Sequence, residues 1–274
     1  MTITKSKLLF MSILNVTPDS FSDGGKYLNI EDAIKHADEL IKSGVDIIDI
    51  GGESTRPGAV LISEEEELKR VIPVIYELTK NVSASRRNSE PAKEILISID
   101  TYKSNVAQLA INAGAKIIND VSGLTMDPDM VNVAAKNNCP IVIMHNEGIP
   151  ATKPEPVVRR TGESANWRKR DEVIQQIYAW LKKQTNYAIK NGVKKENIII
   201  DPGLGFGKTP EEDFYIIQNL SEFKSLGYPI LIGPSHKSFI RKLFPDSDIK
   251  AKSKEIIDLA IKNGANIVRM HEIN

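Results

Sequence analysis

One six-residue unit recurs along the chain and limits what it can fold into. A glycine closing an amphipathic stretch is followed by a small residue, a polar one, two β-branched residues and a last polar one. It reads Gly44-Val45-Asp46-Ile47-Ile48-Asp49, then Gly114-Ala115-Lys116-Ile117-Ile118-Asn119, then Gly264-Ala265-Asn266-Ile267-Val268-Arg269. Glycine at this place ends a helix in the left-handed conformation, and a β-branched pair suits a strand buried on both faces. Helical spacing in the intervening stretches supports this: Ile30, Ala33, Ile34, Ala37, Leu40 and Ile41 share one face, as do Leu68, Val71, Ile72, Ile75 and Leu78. Ser63 and Glu66 form a capping box at the start of the second stretch. Helix and strand therefore alternate, which implies βαβ units and a parallel sheet.

The same reading gives eight strands, at 8–14, 46–50, 95–99, 116–118, 141–144, 198–200, 229–232 and 266–268. An open doubly wound sheet and a closed (β/α)8 (TIM) barrel both satisfy this order. The barrel is favoured by the residues at or just beyond the strands' C-terminal ends: Asn15, Asp49, Asp100, Asn119, His145, Asp201, Ser235, and Arg269 with His271. A barrel brings all of these to one mouth, where active sites of this architecture lie, whereas an open sheet spreads them along an edge. The 274 residues suit one such domain, spanning 1–274. Residues 81–94, rich in serine, asparagine and charge, read as a solvated loop at the opposite end, and 146–165 as a long binding loop at the mouth. The chain stops soon after His271, so the helix that would follow strand eight is expected to be absent from this sequence.

Composition narrows the partners. The chain has 36 basic and 36 acidic residues, so no net field draws it to nucleic acid or an anionic membrane. The apolar stretch near the start is broken early by Asn15, Pro18 and Asp19, too soon for a membrane span. A single cysteine, Cys139, precludes an internal disulfide and suits a reducing compartment. The expectation is a cytoplasmic protein acting on small molecules.

The chemistry sits in the segments after the strands. Residues 15–25 (Asn-Val-Thr-Pro-Asp-Ser-Phe-Ser-Asp-Gly-Gly) and 49–58 (Asp-Ile-Gly-Gly-Glu-Ser-Thr-Arg-Pro-Gly) are rich in hydroxyls and glycine, and Arg56 adds a fixed positive charge. Both suit contact with an anion, although ordinary turn-rich connections share that composition. Residues 201–209 (Asp-Pro-Gly-Leu-Gly-Phe-Gly-Lys-Thr) resemble a phosphate-binding P-loop, but Pro202 occupies the position of its first glycine. The glycines instead let the backbone pass close to a flat ligand, with Phe206 as an apolar wall. Lys237, Arg269 and His271 share the mouth with Asp49, Asp100 and Asp201. Carboxylate and carboxamide groups can read the donor edge of an aminopyrimidine, while cations hold phosphate. A zinc hydrolase reading fails because strand one carries Asn15-Val16-Thr17 in place of His-x-His. His36 is an ordinary residue of the first helix.

With these motifs assembled, the chain resembles the dihydropteroate synthases along nearly its whole length. The resemblance runs through 15–25 and 49–58, Ser98-Ile99-Asp100-Thr101, Ile118-Asn119-Asp120-Val121-Ser122-Gly123, residues 201–208, Lys237-Ser238-Phe239 and Val268-Arg269-Met270-His271. It implies a transferase of folate biosynthesis that condenses a dihydropterin methyl diphosphate with 4-aminobenzoate, in a family that is the target of sulfonamides. It also implies that Asp100, Asn119, Asp201 and Lys237 hold the pterin, in a slot shaped by Met144, Phe206 and Gly233. Asn15 would ligate Mg2+, and Arg269 and His271 would grip the diphosphate. Thr55, Pro57, Phe21 and Ser238 would border the aminobenzoate and Arg56 would also bind substrate, with Lys237, Asp100, Arg269 and His271 carrying the chemistry. A homodimer is the assembly implied. His236 replaces the arginine usual in the family, which makes the charge beside the ligand depend on pH. A methyltetrahydrofolate-dependent methyltransferase and a non-catalytic pterin-binding homologue are the alternatives; residues 54–58 and Lys237-Ser238 favour the synthase.

Overall fold

Inward-facing side chains of successive strands decide how this chain closes. The computed structural model describes residues 7–17, 30–54, 59–85, 95–147, 170–235 and 237–271. Eight parallel strands run in the order β6-β5-β4-β3-β2-β1-β8-β7: β1 (Leu9–Asn15), β2 (Ile47–Gly51), β3 (Leu96–Asp100), β4 (Ile117–Asp120), β5 (Ile141–Met144), β6 (Ile198–Asp201), β7 (Leu231–Ile232) and β8 (Ile267–Met270). A parallel bridge between Ile200 and Ile230 joins the two ends and closes the sheet into a barrel. The helices are α1 (Ile30–Lys42), α2 (Glu64–Ser85), α3 (Ser104–Ala113), α4 (Met130–Lys136), α5 (Arg170–Lys190), α6 (Pro210–Gln218), α7 (Ser238–Leu243) and α8 (Ile249–Asn263). No helix among the described residues is long and apolar enough to cross a membrane.

Leu9, Met11, Ile47, Leu96, Ile117, Val142, Ile199, Leu231 and Ile267 form one buried cluster inside the barrel. The alternate residues, such as Ile48, Ile50, Ile97, Ile99, Ile118 and Ile200, belong to a larger core that also takes in the helices' buried faces. This two-sided burial is why the strands read as continuous β-branched runs. The amphipathic spacing holds on α1, where Ala33, Ala37 and Leu40 are buried, and on α2, where Val71, Ile75 and Leu78 are. The Glu66 N–H donates to Ser63 Oγ at 3.2 Å, one half of the capping box expected for α2, while the Glu66 carboxylate accepts from Arg70 Nε at 2.8 Å.

Two boundaries differ from expectation. Most strands run one or two residues further at their C-terminal ends, because parallel ladder hydrogen bonds continue through Asn15, Gly51, Asp100, Asp120 and Asp201. Polar side chains do not interrupt a ladder whose bonds are all backbone. Of the expected loop at 81–94, residues 81–85 are helical and 86–94 lie outside the described residues. α2 continues to Ser85, since residues 81–85 (Asn-Val-Ser-Ala-Ser) contain neither glycine nor proline to end it.

Candidate active site

Period two along each strand turns the polar C-terminal residues inward, above the aliphatic cluster. From β1 come Ile13 and Asn15, from β3 Asp100, from β4 Asn119 with Val121 just beyond it, from β5 Met144, from β6 Asp201, after β7 Gly233, and from β8 Arg269 with His271 just beyond it. With Leu204, Gly205, Phe206, Ser235, Lys237 and Ser238 they line a cleft of about 550 Å3. Val121, Met144 and Phe206 form a small buried apolar cluster there, with Tyr102 packed against it. One flank of the cleft is therefore oily and the rest polar.

Electrostatics divides the polar part. Arg269 donates from Nε to Asp49 Oδ2 at 2.7 Å and from Nη2 to Asp100 Oδ2 at 2.6 Å. Asn119 Nδ2 donates to the same Asp49 oxygen at 2.9 Å. Burial pushes the Asp100 carboxyl up to about 7 in spite of the Arg269 charge beside it, with Asp49 adding to the rise. Burial likewise raises Asp201 to about 6, opposed by the hydrogen bond from the Gly203 N–H and by Lys237. Lys237 is held below its ordinary value by burial, then by the positive charge of Arg269. Its ammonium donates to the Leu204 carbonyl at 3.0 Å and lies 4.8 Å from the centre of the Phe206 ring.

The glycine-rich segment after β6 is a shaped backbone wall. Gly203 has φ +70°, and a Cβ there would sit 1.9 Å from the His145 carbonyl oxygen, so only glycine fits. Lys208, which occupies the P-loop lysine's place in sequence, donates to the carbonyls of Gly203 at 2.7 Å and Phe206 at 3.3 Å. Burial lowers its ammonium to about 8. It braces its own loop, which supports the rejection of a P-loop.

Over residues 11–271 the chain matches the pterin binding enzyme family. The chain belongs to that family. It is 43% identical over 271 residues to the dihydropteroate synthase of Bacillus subtilis, an alignment covering 98% of this chain and 85% of that protein. The crystal structure of dihydropteroate synthase from Xanthomonas albilineans with 4-aminobenzoic acid is similar, with a TM-score of 0.82 and 35% identity over 98% of this chain and 89% of that one. The same enzyme in complex with 7,8-dihydropteroate gives 0.79 and 33%, over 98% of this chain and 90% of that one.

In this pterin-binding barrel the cleft gathers Asn15, Asp100, Asn119, Met144, Asp201, Phe206, Gly233, Lys237, Ser238, Arg269 and His271 from those expected at the mouth. Phe21, Thr55, Arg56, Pro57 and His236 lie outside the described residues, as does most of the segment 146–165. Asn146 donates from Nδ2 to the Val121 carbonyl at 2.8 Å and ties the ends of β5 and β4 together. His36 pairs with Glu39 on α1 at 3.6 Å, as an ordinary helix residue would.

Sequence reasoning missed a second polar cluster at the root of the segment after β2. Lys103 Nζ bridges Glu53 Oε2 at 2.6 Å and Glu67 Oε2 at 2.5 Å, and the Tyr102 hydroxyl donates to Glu53 Oε1 at 2.8 Å. These partners are 36 to 50 residues apart in the chain, and no local pattern announces them. Asp213 was missed too: its carboxylate accepts from the Gly205 N–H at 2.8 Å and steadies the glycine-rich wall.

Proposed function

We propose that the chain is a dihydropteroate synthase, joining (7,8-dihydropterin-6-yl)methyl diphosphate to 4-aminobenzoate with release of 7,8-dihydropteroate and diphosphate. The observation that carries this reading is the cleft's chemistry: oxygen acceptors from Asp100, Asn119 and Asp201 share one space with Lys237, Arg269 and His271 and with the apolar flank of Met144 and Phe206. An aminopyrimidine presents N–H donors along one edge and a flat face, which carboxylate and carboxamide oxygens and an apolar slot complement. Asp201 then reads that edge, Asp100, Asn119 and Lys237 complete the pterin's polar contacts, and Gly233 leaves room for the ring. Arg269 and His271 hold the diphosphate. Ser238 borders the aminobenzoate; the family resemblance assigns Phe21, Thr55 and Pro57, which lie outside the described residues, to the same ligand and Arg56 to substrate binding.

The reaction needs charge stabilisation and exclusion of water more than a strong base. The methylene carbon–oxygen bond breaks with its electron pair leaving on diphosphate, and the electron-rich dihydropterin stabilises the methylene cation. The lone pair of the arylamine then forms the new carbon–nitrogen bond and the surplus proton passes to solvent. Arg269 and His271 stabilise the charge that develops on the departing group, and Lys237 and Asp100 fix the ring in place.

Mg2+ fits this scheme in a limited way. No group of three or more His, Cys, Asp or Glu side chains that could hold a metal occurs among the described residues, so a fully protein-built centre is not what these residues offer. Asn15 contributes one hard oxygen at the cleft, which suits an ion that keeps water and takes its remaining oxygens from phosphate. Such an ion, when bound, neutralises charge on the diphosphate. A cytoplasmic homodimer completes the reading: the family resemblance supports the dimer, and a single cysteine, Cys139, suits a reducing compartment.

The test is diphosphate release by purified protein. Fast release that requires both the pterin diphosphate and 4-aminobenzoate is expected, with slow release from the pterin diphosphate alone because bond cleavage precedes amine attack. Pterin binding without release would mark a non-catalytic homologue, and methyl transfer from methyltetrahydrofolate would mark the methyltransferase.

A further inference from the structure

We propose that Asp49, buried beneath the cleft and not among its lining residues, is the positioning residue that sets how Asn119 and Arg269 present themselves to the pterin substrate. This rests on the synthase reading of the site. Asp49 is fully buried on β2, and a single oxygen, Oδ2, accepts both from Asn119 Nδ2 at 2.9 Å and from Arg269 Nε at 2.7 Å. Arg269 Nε can only donate, so Asp49 Oδ2 is an acceptor, and the side of Asn119 turned to that oxygen is the amide nitrogen. The Asn119 carbonyl oxygen is then the atom left for a ligand, and Asn119 reads a donor. Without a neighbour of fixed hydrogen-bonding sense, the two faces of a carboxamide are nearly equivalent in shape and either could turn to the ligand.

Arg269 is oriented by the same atom. Its Nε is held by Asp49 and its Nη2 by Asp100, so two contacts on different edges of a rigid planar fork fix the plane of the guanidinium. A buried carboxylate is costly unless its hydrogen-bonding capacity is used. Yet Asp49 Oδ1 accepts nothing among the described residues, and Ser98 Oγ, on its register partner in β3, is also buried without a partner. The carboxylate is thus held by one oxygen, and that oxygen serves two groups that line the cleft. Stability alone does not account for this allocation, since an aliphatic residue of the layer below would fill the space without a desolvation cost.

The experiment compares wild type, Asp49→Ala and Asp49→Asn. Readouts are KM for the pterin diphosphate, KM for 4-aminobenzoate, kcat, the Kd of 6-hydroxymethylpterin, and Tm. Asp49→Ala removes the shared acceptor and is expected to raise the pterin KM and the hydroxymethylpterin Kd about tenfold or more, the scale of a hydrogen bond to a charged group. The aminobenzoate KM should stay within about twofold of wild type, since Asn119 serves the pterin. Asp49→Asn keeps an oxygen where Oδ2 stands, and an amide oxygen still accepts from both Asn119 and Arg269. Its pterin binding should therefore recover to within a few fold of wild type. Asp49→Ala with unchanged pterin KM and Kd overturns the proposal, as does a folded Asp49→Asn that binds pterin no better than Asp49→Ala. If Asp49→Ala does not fold, Asp49→Leu, which fills the space without an acceptor, is read in its place with the same two outcomes. Wild type that neither binds hydroxymethylpterin nor releases diphosphate would instead remove the synthase reading itself.

Discussion

The lower and upper halves of the barrel interior are built by the same strands in the same register, yet they have opposite chemistry. Ile47, Leu96, Ile117 and Ile199 sit in the lower cluster; two residues later on the same strands stand Asp49, Ser98, Asn119 and Asp201. The lower layer is dry and aliphatic and does the holding. The upper layer buries Asp49 and Asp201 and leaves Asp100 and Arg269 partly buried, and their desolvation is a cost that the lower layer has to offset. Function here is installed by changing the sequence at inward positions without changing the backbone that carries them.

That contrast breaks most visibly if the lower layer turns out to govern chemistry. Ile199 is 1% exposed and sits two residues below Asp201. Ile199→Ala should cost about 2–5 kcal/mol of stability, as deletions in a close-packed core do. At roughly 2–4 °C per kcal/mol for a chain of this size, the fall in Tm is easily read by calorimetry. The folded fraction should retain its kcat/KM to within about twofold, because nothing at the mouth is touched. A loss of kcat/KM much beyond that would show that the two layers are not separable.

Lys237→Ala probes the upper layer in the opposite sense. In the proposed synthase the ammonium serves the pterin site, while burial and Arg269 hold its pKa down, which means that folding opposes its charge. Its removal should lower kcat/KM for the pterin diphosphate about 100-fold, the scale of one lost charge-assisted hydrogen bond in a water-excluded site. Tm should hold steady or rise. A Tm that falls as far as that of Ile199→Ala would make Lys237 a structural residue.

The layering is legible in the sequence because period two is written into each strand. The pairs Ile47 and Asp49, Ile117 and Asn119, and Ile267 and Arg269 carry an aliphatic residue and a polar one at the same parity, and the recurring glycine marks where each strand begins. What sequence could not supply is contact between side chains far apart in the chain. Asp49 was visible at the mouth, but its service to Asn119, 70 positions on, and to Arg269, 220 positions on, appears only when the barrel closes. Lys103 with Glu53 and Glu67 was invisible for the same reason. The turn after β4 shows the other limit: Asp120 accepts from the N–H groups of Ser122 and Leu124 and supports Leu124 at φ 66°, a conformation that no leucine advertises.

The smallest effect tests which force rules Asp100, burial or the Arg269 charge. Burial has the upper hand and pushes this carboxyl from 3.8 up to about 7. Between those pH values the unfolded chain has lost the proton that the folded protein still holds, so stability from this group is fully present below about pH 4 and is lost as the pH rises to about 7. Asn at this position does not titrate. The difference in Tm between wild type and Asp100→Asn should therefore shift against wild type as the pH is raised through that window and level off above it. Ile199→Ala, which removes no titrating group, should track wild type at a constant offset across the same range. A difference that moves in favour of wild type with rising pH would mean that the ion pair with Arg269 outweighs burial. The upper layer would then hold Asp100 as a carboxylate before any ligand arrives, and the energetic contrast between the two halves of the barrel would shrink accordingly.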